Sequence, residues 1–332
     1  MRGVHPSRLA QRTVIGHASG MLPSSLEGRL ALPVFCAPMF LVSGVELAKA
    51  ACNARIVGSF PALNARTTEL LDAWLTELRS GLSEDAAPYA VNLIVHRTNP
   101  RVEADLAVLE KHRVPIVVTS LGAVSDVVRR VQSWGGVVFH DVTNAHHAKK
   151  AAEAGVDGII AVANGAGGHA GTLNPFALAS EIRAFWEGTL ILAGCINSGA
   201  QVLAARAMGA ELAYLGTRFI ATAESSAPDE YKQMILDARA EDIVYTPAVS
   251  GVPASFMRKS LERAGYDMAQ LGRPGDVNYG QKLKPADDEA KAWKTVWSAG
   301  QGVGTIRDVP TVAELVERLR REYAEAQTRL AG

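Results

Sequence analysis

Eight short apolar runs recur along the first two thirds of the chain, and each is followed by a longer stretch with helical spacing. The runs are nearly continuous in β-branched and other apolar residues, which is typical of parallel strands buried on both faces. The stretches between them are rich in Ala, Leu and Lys and often end in Gly, as crossover helices do. The predicted strands span residues 33–39, 55–60, 89–94, 115–120, 137–142, 158–163, 189–194 and 212–219.

Eight strand–helix units in succession predict an α/β fold, the (β/α)8 or TIM barrel. After residue 224 helices and turns follow without a further parallel strand, so we predict a mainly helical insertion over residues 225–304 that covers the active site. The barrel domain would then comprise residues 1–224, completed by a C-terminal helix over residues 305–332. Apolar residues at helical spacing give that helix one face to pack on the barrel: Val312, Leu315, Val316 and Leu319.

Composition narrows the classes of partner. Basic and acidic residues number 34 each, so no net charge favours nucleic acid or an anionic membrane surface. Three cysteines without a C-x-x-C pair argue against a disulfide framework and a thiolate zinc site. The chain has neither an apolar run of 18 residues nor a signal-like N-terminus. We expect a cytoplasmic protein that acts on a small molecule and holds no metal. Whether it forms a homo-oligomer stays open.

The stretch GAGGHAG, residues 165–171, superficially matches a dinucleotide-binding fingerprint. That motif needs a helix directly after the glycines, but GTLNPF follows and indicates a loop. In a barrel the stretch would instead follow the sixth strand, at the rim where active sites are built. Its glycines would let backbone approach a flat ligand, and His169 could titrate there. The alternative is a glycine turn with an incidental histidine.

The loops after the seventh and eighth strands form the usual phosphate site of this fold. Ser198 and the glutamine three residues later predict a capping box, which would leave N–H groups near Gly199 for an anion. Gly194 would let the strand end approach a phosphate, and Gly216 and Thr217 would add backbone donors and a hydroxyl. Helix capping without a ligand is the alternative.

Several further residues have two interpretations each. Pro38 and Met39 could form an apolar floor under an aromatic ring or simply pack, and the buried Asn92 could bond a heteroaromatic edge or neighbouring backbone. His140 and Asp141 end the fifth strand, where they could handle protons or serve only structure. No residue spacing in the sequence suggests a base that would activate the thiol of Cys195.

Five segments together resemble the nitronate monooxygenase family, formerly called 2-nitropropane dioxygenases. They are APM at 37–39, the asparagine of VNL at 92, AGGHAG at 166–171, GTRF at 216–219 and SAGQGVG at 298–304. The resemblance extends from about residue 30 to residue 325. That family and the related flavin-dependent enoyl-acyl-carrier-protein reductases are FMN-binding TIM barrels with a helical insertion over the flavin. The resemblance therefore implies the same fold and FMN as cofactor.

The resemblance also implies roles for individual residues. Pro38, Met39 and Asn92 would contact the flavin ring, and His169 would be catalytic. The phosphate would be held by Gly194, Gly199, Gly216 and Thr217. Ala37, Gly168 and Ser198, which adjoin these residues, complete the predicted FMN-binding set. Two departures from the family pattern are Cys195, in place of the second glycine of a paired-glycine loop, and the His140–Asp141 pair, in place of a basic residue.

The implied reaction is the FMN-dependent oxidation of nitronates or nitroalkanes by O2, which gives a carbonyl compound and nitrite. His169 would either stabilise a nitronate as imidazolium or accept the α-proton of a nitroalkane as neutral imidazole. One alternative is an NAD(P)H-dependent FMN reductase of quinones or enoyl substrates on the same barrel. Others are a phosphosugar isomerase or aldolase without flavin and a flavin-binding regulatory protein. The sequence leaves the physiological substrate and the use of NAD(P)H open.

Overall fold

The computed structural model describes residues 22–122, 125–249, 251–268, 271 and 295–332. Residues 1–21 of the predicted barrel domain lie outside the described residues, as do residues 272–294 of the predicted insertion. The described strands, in chain order, are β1 Val34–Cys36, β2 Gly58–Pro61, β3 Tyr89–Ile94, β4 Ile116–Ser120, β5 Val137–Val142, β6 Gly158–Val162, β7 Gly168–His169, β8 Thr189–Ala193, β9 Leu212–Leu215, β10 Ile243–Thr246 and β11 Ala254–Met257.

Eight of these strands form one parallel sheet in the order β1-β9-β8-β6-β5-β4-β3-β2. A parallel bridge between Phe35 and Val57 joins its two edges, so the sheet closes into the predicted TIM barrel. The eight predicted strands are confirmed, but the first ends at Cys36 instead of residue 39, and the last was also predicted too long. It ends at Leu215, because the amide groups of Phe219 and Ile220 both donate to the Gly216 carbonyl and start a helical turn.

Helices follow the barrel strands and cover them, and further helices lie in the insertion and at the C-terminal end of the chain. They are α1 Val45–Asn53, α2 Thr68–Ser80, α3 Val102–Lys111, α4 Ser125–Ser133, α5 Ala145–Glu153, α6 Pro175–Arg183, α7 Gly199–Ala207, α8 Thr217–Ile220, α9 Asp229–Asp237, α10 Arg258–Arg263 and a C-terminal helix Val312–Ala331. Side-chain caps start several of them: Thr67, Asn144 and Asn174 each accept a hydrogen bond from a first-turn amide. Within the described ranges, no helix is both long and apolar enough to cross a membrane.

Strand alternation divides the barrel side chains between two buried layers. The lumen is filled by Phe35, Val118, Phe139, Ile160 and their neighbours. The residues between them face outward and pack under the helices in a second, larger cluster. Because successive side chains of a strand point to opposite faces, one residue step moves a side chain from the lumen to the helix layer.

The described part of the predicted insertion contains more than helices. An antiparallel hairpin of β10 and β11 lies between α9 and α10, and β11 continues the pairing to β7. We did not predict these strands, because IVYT and ASFM are short and β11 pairs with β7 through a contact between distant segments. The hairpin therefore ties the insertion directly to the GAGGHAG loop.

The C-terminal helix packs on the barrel as predicted. Val312, Leu315, Val316 and Leu319 are all buried in the outer core cluster. The helix lies against the start of α7 so closely that a Cβ atom on Gly199 would overlap the Leu319 carbonyl oxygen and the Tyr323 amide. The absence of a side chain at Gly199 therefore permits this backbone contact.

We predict that Gly199→Ala destabilises the protein by at least about 2 kcal/mol, because two backbones would have to separate to admit the methyl group. Urea unfolding monitored by circular dichroism measures the change. Gly304→Ala is the matched control, since its Cβ would find its nearest neighbour at 3.5 Å, an ordinary contact. Equal stability of the two variants would contradict the close packing of α7 on the C-terminal helix.

Candidate active site

The loop after β1 is fixed at the barrel rim by its own polar neighbours. The Met39 amide donates to Ser43 Oγ at 3.0 Å, and Asn64 Nδ2 donates to the Met39 carbonyl at 3.0 Å. The Ala37 amide donates to the Leu215 carbonyl at 2.9 Å, which holds this loop beside the end of β9. Pro38 and Met39 are left half-buried at the mouth of the barrel, by which we mean the end formed by the carboxyl ends of the eight strands.

The ends of β8 and β9 offer backbone donors. Gly194 and Cys195 both have positive φ, +128° and +56°, so the chain turns sharply there. The backbone N–H groups of Cys195, Gly216 and Thr217 donate to no described residue. A Cβ on Gly216 would lie 3.6 Å from Met39 Sδ and 3.7 Å from Ala37 Cβ, so Gly216 adjoins the loop after β1. Donors at two neighbouring strand ends fit an anion such as a phosphate.

The start of α7 differs from the prediction. The capping box is present: Gln201 Oε1 accepts from the Asn197 and Ser198 amides, and Ser198 Oγ accepts from the Gln201 amide. The predicted free N–H at Gly199 is wrong, because this amide donates to Glu322 Oε2 of the C-terminal helix at 2.8 Å. The carboxylate already occupies the place that we assigned to an anion, so Ser198 and Gly199 serve the packing of α7.

The glycines of GAGGHAG serve backbone packing more than ligand approach. A Cβ on Gly167 would lie 2.9 Å from the Gly300 amide nitrogen, and one on Gly300 would lie 2.5 Å from the Gly165 carbonyl oxygen. The Gln301 amide donates to that same Gly165 carbonyl at 2.9 Å. The Gly300 amide in turn donates to Thr217 Oγ1 at 2.9 Å. SAGQGVG therefore locks the glycine loop onto the end of β9.

His169 lies on β7, beyond this packed region. Gly168 has φ +69°, and a Cβ there would meet nothing within 4 Å, so open space adjoins it. The Gly168 amide donates to Ser298 Oγ at 2.7 Å, and Ser298 Oγ donates to the Ser255 carbonyl at 2.6 Å. His169 is exposed and in register with Ala254 of β11. The insertion thus fixes the backbone on both sides of the candidate catalytic residue.

An aromatic cluster in the insertion fixes Ser298 in turn. The Tyr231 ring stacks on Trp297 with centroids 4.8 Å apart, and the Arg263 guanidinium lies 3.8 Å from the Trp297 ring centroid. The Tyr231 hydroxyl donates to the Ser298 carbonyl and accepts from the Ser298 amide. Sequence reasoning missed these positioning residues. The only signal was SAGQGVG itself, which we used for the family resemblance alone.

Three polar side chains form a chain of hydrogen bonds across the lumen ends of β3, β4 and β5. Asn92 Nδ2 donates to Ser120 Oγ at 2.7 Å and to the Val118 carbonyl at 3.1 Å. Ser120 Oγ donates to Asp141 Oδ2 at 2.6 Å. Asn92 therefore does bond neighbouring backbone, one of the two roles left open for it. Burial raises the pKa of Asp141 to about 6, and the Ser120 hydrogen bond opposes that rise.

His140 and Asp141 face opposite layers, so they do not act as a pair. His140 is buried in the outer layer, where its Nδ1 lies 2.8 Å from Thr119 Oγ1. Burial lowers the pKa of His140 to about 4, so its ring is neutral near pH 7. The geometry favours the structural role for His140. Cys195 Sγ contacts the Gly165 carbonyl at 3.6 Å, and burial raises the pKa of this thiol, which suits packing.

We predict that Asp141→Asn stabilises the ligand-free protein at pH 8 by on the order of 2 kcal/mol. The folded-state pKa, about 6, lies above the ordinary value of 3.8, so the folded state binds the extra proton between these values. Stability contributed by that proton is lost as the pH rises through about 6, and the variant escapes this loss. Urea unfolding at pH 5 and pH 8 measures the difference, which should be smaller at pH 5.

The matched control for this prediction is Glu153→Gln. Glu153 is exposed at the end of α5, on the side of the barrel opposite the mouth, and its replacement removes the same charge. Its effect on stability should stay within about 0.5 kcal/mol at both pH values. An equal gain for Asp141→Asn at pH 5 and pH 8 would show that Asp141 does not titrate in this range.

Comparisons with known proteins agree with this architecture. The family model for nitronate monooxygenase matches residues 77–322. A nitronate monooxygenase from Paraburkholderia phytofirmans is 30% identical, over 89% of this chain and 93% of its own. Among solved structures, nitroalkane oxidase from Streptomyces ansochromogenes is 27% identical with a TM-score of 0.76, over 92% of this chain and 100% of its own. FabK from Thermotoga maritima is also 27% identical, with a TM-score of 0.75 over 91% and 96%.

The match of the family model covers well over half of the chain, and the resemblance carried by the sequence motifs is confirmed. The barrel strands from β3 to β9, the loop with His169 and the paired loops after β8 and β9 lie within the matched range, whereas β1 and β2 precede it. This chain belongs to the nitronate monooxygenase family, which is a family of oxidoreductases.

Proposed function

We propose that the barrel mouth binds FMN without a covalent link. The supporting observation is the set of backbone donors at Cys195, Gly216 and Thr217, which fits a phosphate beside the apolar loop of Pro38 and Met39. Gly194 gives the turn that exposes those donors. When bound, FMN supplies the electron-transfer chemistry, which no side chain of the protein supplies. Gly216, Thr217 and the β8 turn thus remain our phosphate site, without Ser198 and Gly199.

The reaction we propose is the oxidation of nitronates or nitroalkanes by O2 to a carbonyl compound and nitrite. His169 carries this proposal, because it is an ionisable side chain at the mouth on backbone fixed by Ser298 and β11. A neutral imidazole accepts the α-proton of a nitroalkane, and an imidazolium stabilises a nitronate. The names of the Paraburkholderia and Streptomyces relatives support this substrate class.

Other residues of the chain orient the ligand and exclude water. The chain of Asn92, Ser120 and Asp141 gives the lumen side of the mouth a fixed polar edge. The β10–β11 hairpin and the insertion around Ser298 lie on the His169 side. We assign the insertion, residues 225–304, the role of covering the site, which would keep water from the reacting atoms.

A second candidate function is an NAD(P)H-dependent reductase of quinones or enoyl substrates. The motifs resemble flavin-dependent enoyl-acyl-carrier-protein reductases as well, and FabK matches this chain about as closely as nitroalkane oxidase does. Mixing the protein with NADH without oxygen separates the two functions. Rapid bleaching of the flavin absorbance favours the reductase, and unchanged absorbance favours the oxidase.

We predict that the purified protein is yellow and that heat or acid releases FMN, whereas Gly216→Val abolishes FMN binding. The branched side chain would stand where backbone must meet the phosphate, although the barrel has ordinary room for the Cβ itself. Flavin absorbance per protein measures occupancy, and circular dichroism checks the fold. Full occupancy in the folded variant would place the phosphate elsewhere. A wild-type protein that cannot be loaded with FMN would favour the phosphosugar enzyme instead.

We predict that His169→Asn lowers kcat/KM for a neutral nitroalkane by on the order of 100-fold, because asparagine cannot accept the α-proton. Preformed nitronate needs no deprotonation, so its kcat/KM should fall less. The measurement is kcat/KM for both substrate forms, with FMN occupancy determined in each variant.

The control is His146→Asn, which removes an exposed imidazole at the start of α5, beside the ring of His147. Both substrate forms should keep wild-type kcat/KM in that variant. If His169→Asn also leaves both values unchanged while FMN stays bound, His169 has no part in the reaction and GAGGHAG is a structural glycine turn.

A further inference from the structure

We propose that Asp141 is a specificity-determining residue of the mouth, where its carboxylate disfavours anionic nitronates relative to neutral nitroalkanes. The inference rests on the proposed flavin site and deepens it, since it selects one of the two substrate forms. It assigns a role to Asp141, which lies near the end of β5 and takes no part in the proposed proton transfer at His169.

The position of Asp141 follows from strand alternation. Phe139, two residues earlier on β5, lies in the lumen cluster, so Asp141 faces the lumen as well, one layer nearer the mouth. Val118 and Ser120 are related in the same way on β4, and Ala90 and Asn92 on β3. The three polar side chains therefore form one layer at the carboxyl ends of the strands, where barrel active sites lie.

The hydrogen bonds among Asn92, Ser120 and Asp141 determine which carboxylate oxygen is held by the protein. Ser120 Oγ accepts from Asn92 Nδ2, so its single proton is given to Asp141 Oδ2. Asp141 Oδ1 has no partner among the described residues, and it is not sealed from solvent. One oxygen is thus held by the protein, while the other is left for a ligand in the mouth.

No described cation offsets this carboxylate. The influences on the pKa of Asp141 are burial, which raises it to about 6, and the Ser120 hydrogen bond. From β9 it is faced by Tyr214, a phenol whose pKa is raised by burial and by the charges of Asp141 and Cys36. His140, the adjacent titratable group on β5, points into the outer layer with a neutral ring. Above about pH 6 the layer therefore has a net negative charge.

A charge in a partly buried site acts strongly on any second charge a few ångströms away, because little water screens the pair. An anionic nitronate entering the mouth would meet this repulsion, and a neutral nitroalkane would not. The two-electron reduction of a bound flavin adds electron density, so the same charge favours the oxidised over the reduced cofactor. Both effects should disappear when Asp141 is protonated.

The experiment compares wild type, Asp141→Asn and the control Glu153→Gln, all loaded with FMN. The first readout is the two-electron midpoint potential at pH 8, which gives the relative affinity for reduced and oxidised FMN. We expect Asp141→Asn to raise the preference for reduced FMN at least 10-fold, equivalent to about 30 mV. At pH 5 the increase should be less than 3-fold, and Glu153→Gln should match wild type at both pH values.

The second readout is the ratio of kcat/KM for nitronate to that for the nitroalkane at pH 8, which we expect to rise at least 10-fold in Asp141→Asn. Ser120→Ala checks the hydrogen bond: without the Ser120 proton the carboxyl should hold its own proton to higher pH, so the pH-dependent step in wild-type potential should move upward.

Two different results would show that FMN does not bind or that Asp141 does not have the proposed role. If wild type binds no FMN, the proposed function fails. If FMN binds and Asp141→Asn changes the relative affinity for reduced FMN less than 2-fold at pH 8, the function stands and the role of Asp141 is overturned. The asparagine can still accept the Ser120 hydrogen bond, so the polar layer should stay intact in the variant.

Discussion

The closed parallel barrel places every strand side chain in one of two layers, and the rest of the site depends on that division. Adjacent residues on one strand have unrelated surroundings: His140 lies under the helices beside Thr119, and Asp141 lies in the lumen beside Ser120. Both groups are desolvated, yet burial depresses the pKa of the histidine and raises that of the carboxyl, because it disfavours the charged form of each. Only the lumen residue can meet a ligand.

The glycines at the mouth illustrate a second constraint, which is contact between backbones. Gly165, Gly167 and Gly300 let two loops from distant parts of the chain touch along their main chains. The Gln301 amide fixes that contact by donating to the Gly165 carbonyl, and the Gly300 amide donates to Thr217 Oγ1. Side chains there would force the loops apart. These contacts hold the loop in place up to Gly168. His169 follows in the short strand β7, where pairing with β11 gives its backbone a defined position.

The eight barrel strands could be predicted from the sequence because each is a local run of apolar residues. The Ser198 capping box was likewise a local signal. Contacts between distant segments left no such signal. Gly199 pairs with Glu322, 123 residues away, and Gly168 with Ser298, 130 residues away. A free helix N-terminus and one already bonded to a carboxylate look identical in sequence, which is why the predicted anion site at Gly199 failed while the strands did not.

The mouth thus has two halves that differ in how they would recognise a ligand. Near β8 and β9 the donors are backbone amides, which would bind a phosphate whatever side chains surround them, so a cysteine can occupy the turn at position 195. Near β3 to β5 the groups are side chains, so single substitutions change their charge. The backbone half can keep one cofactor across a family, and the side-chain half can vary the substrate. Asp141 belongs to the half in which one residue changes the electrostatic potential without changing the fold.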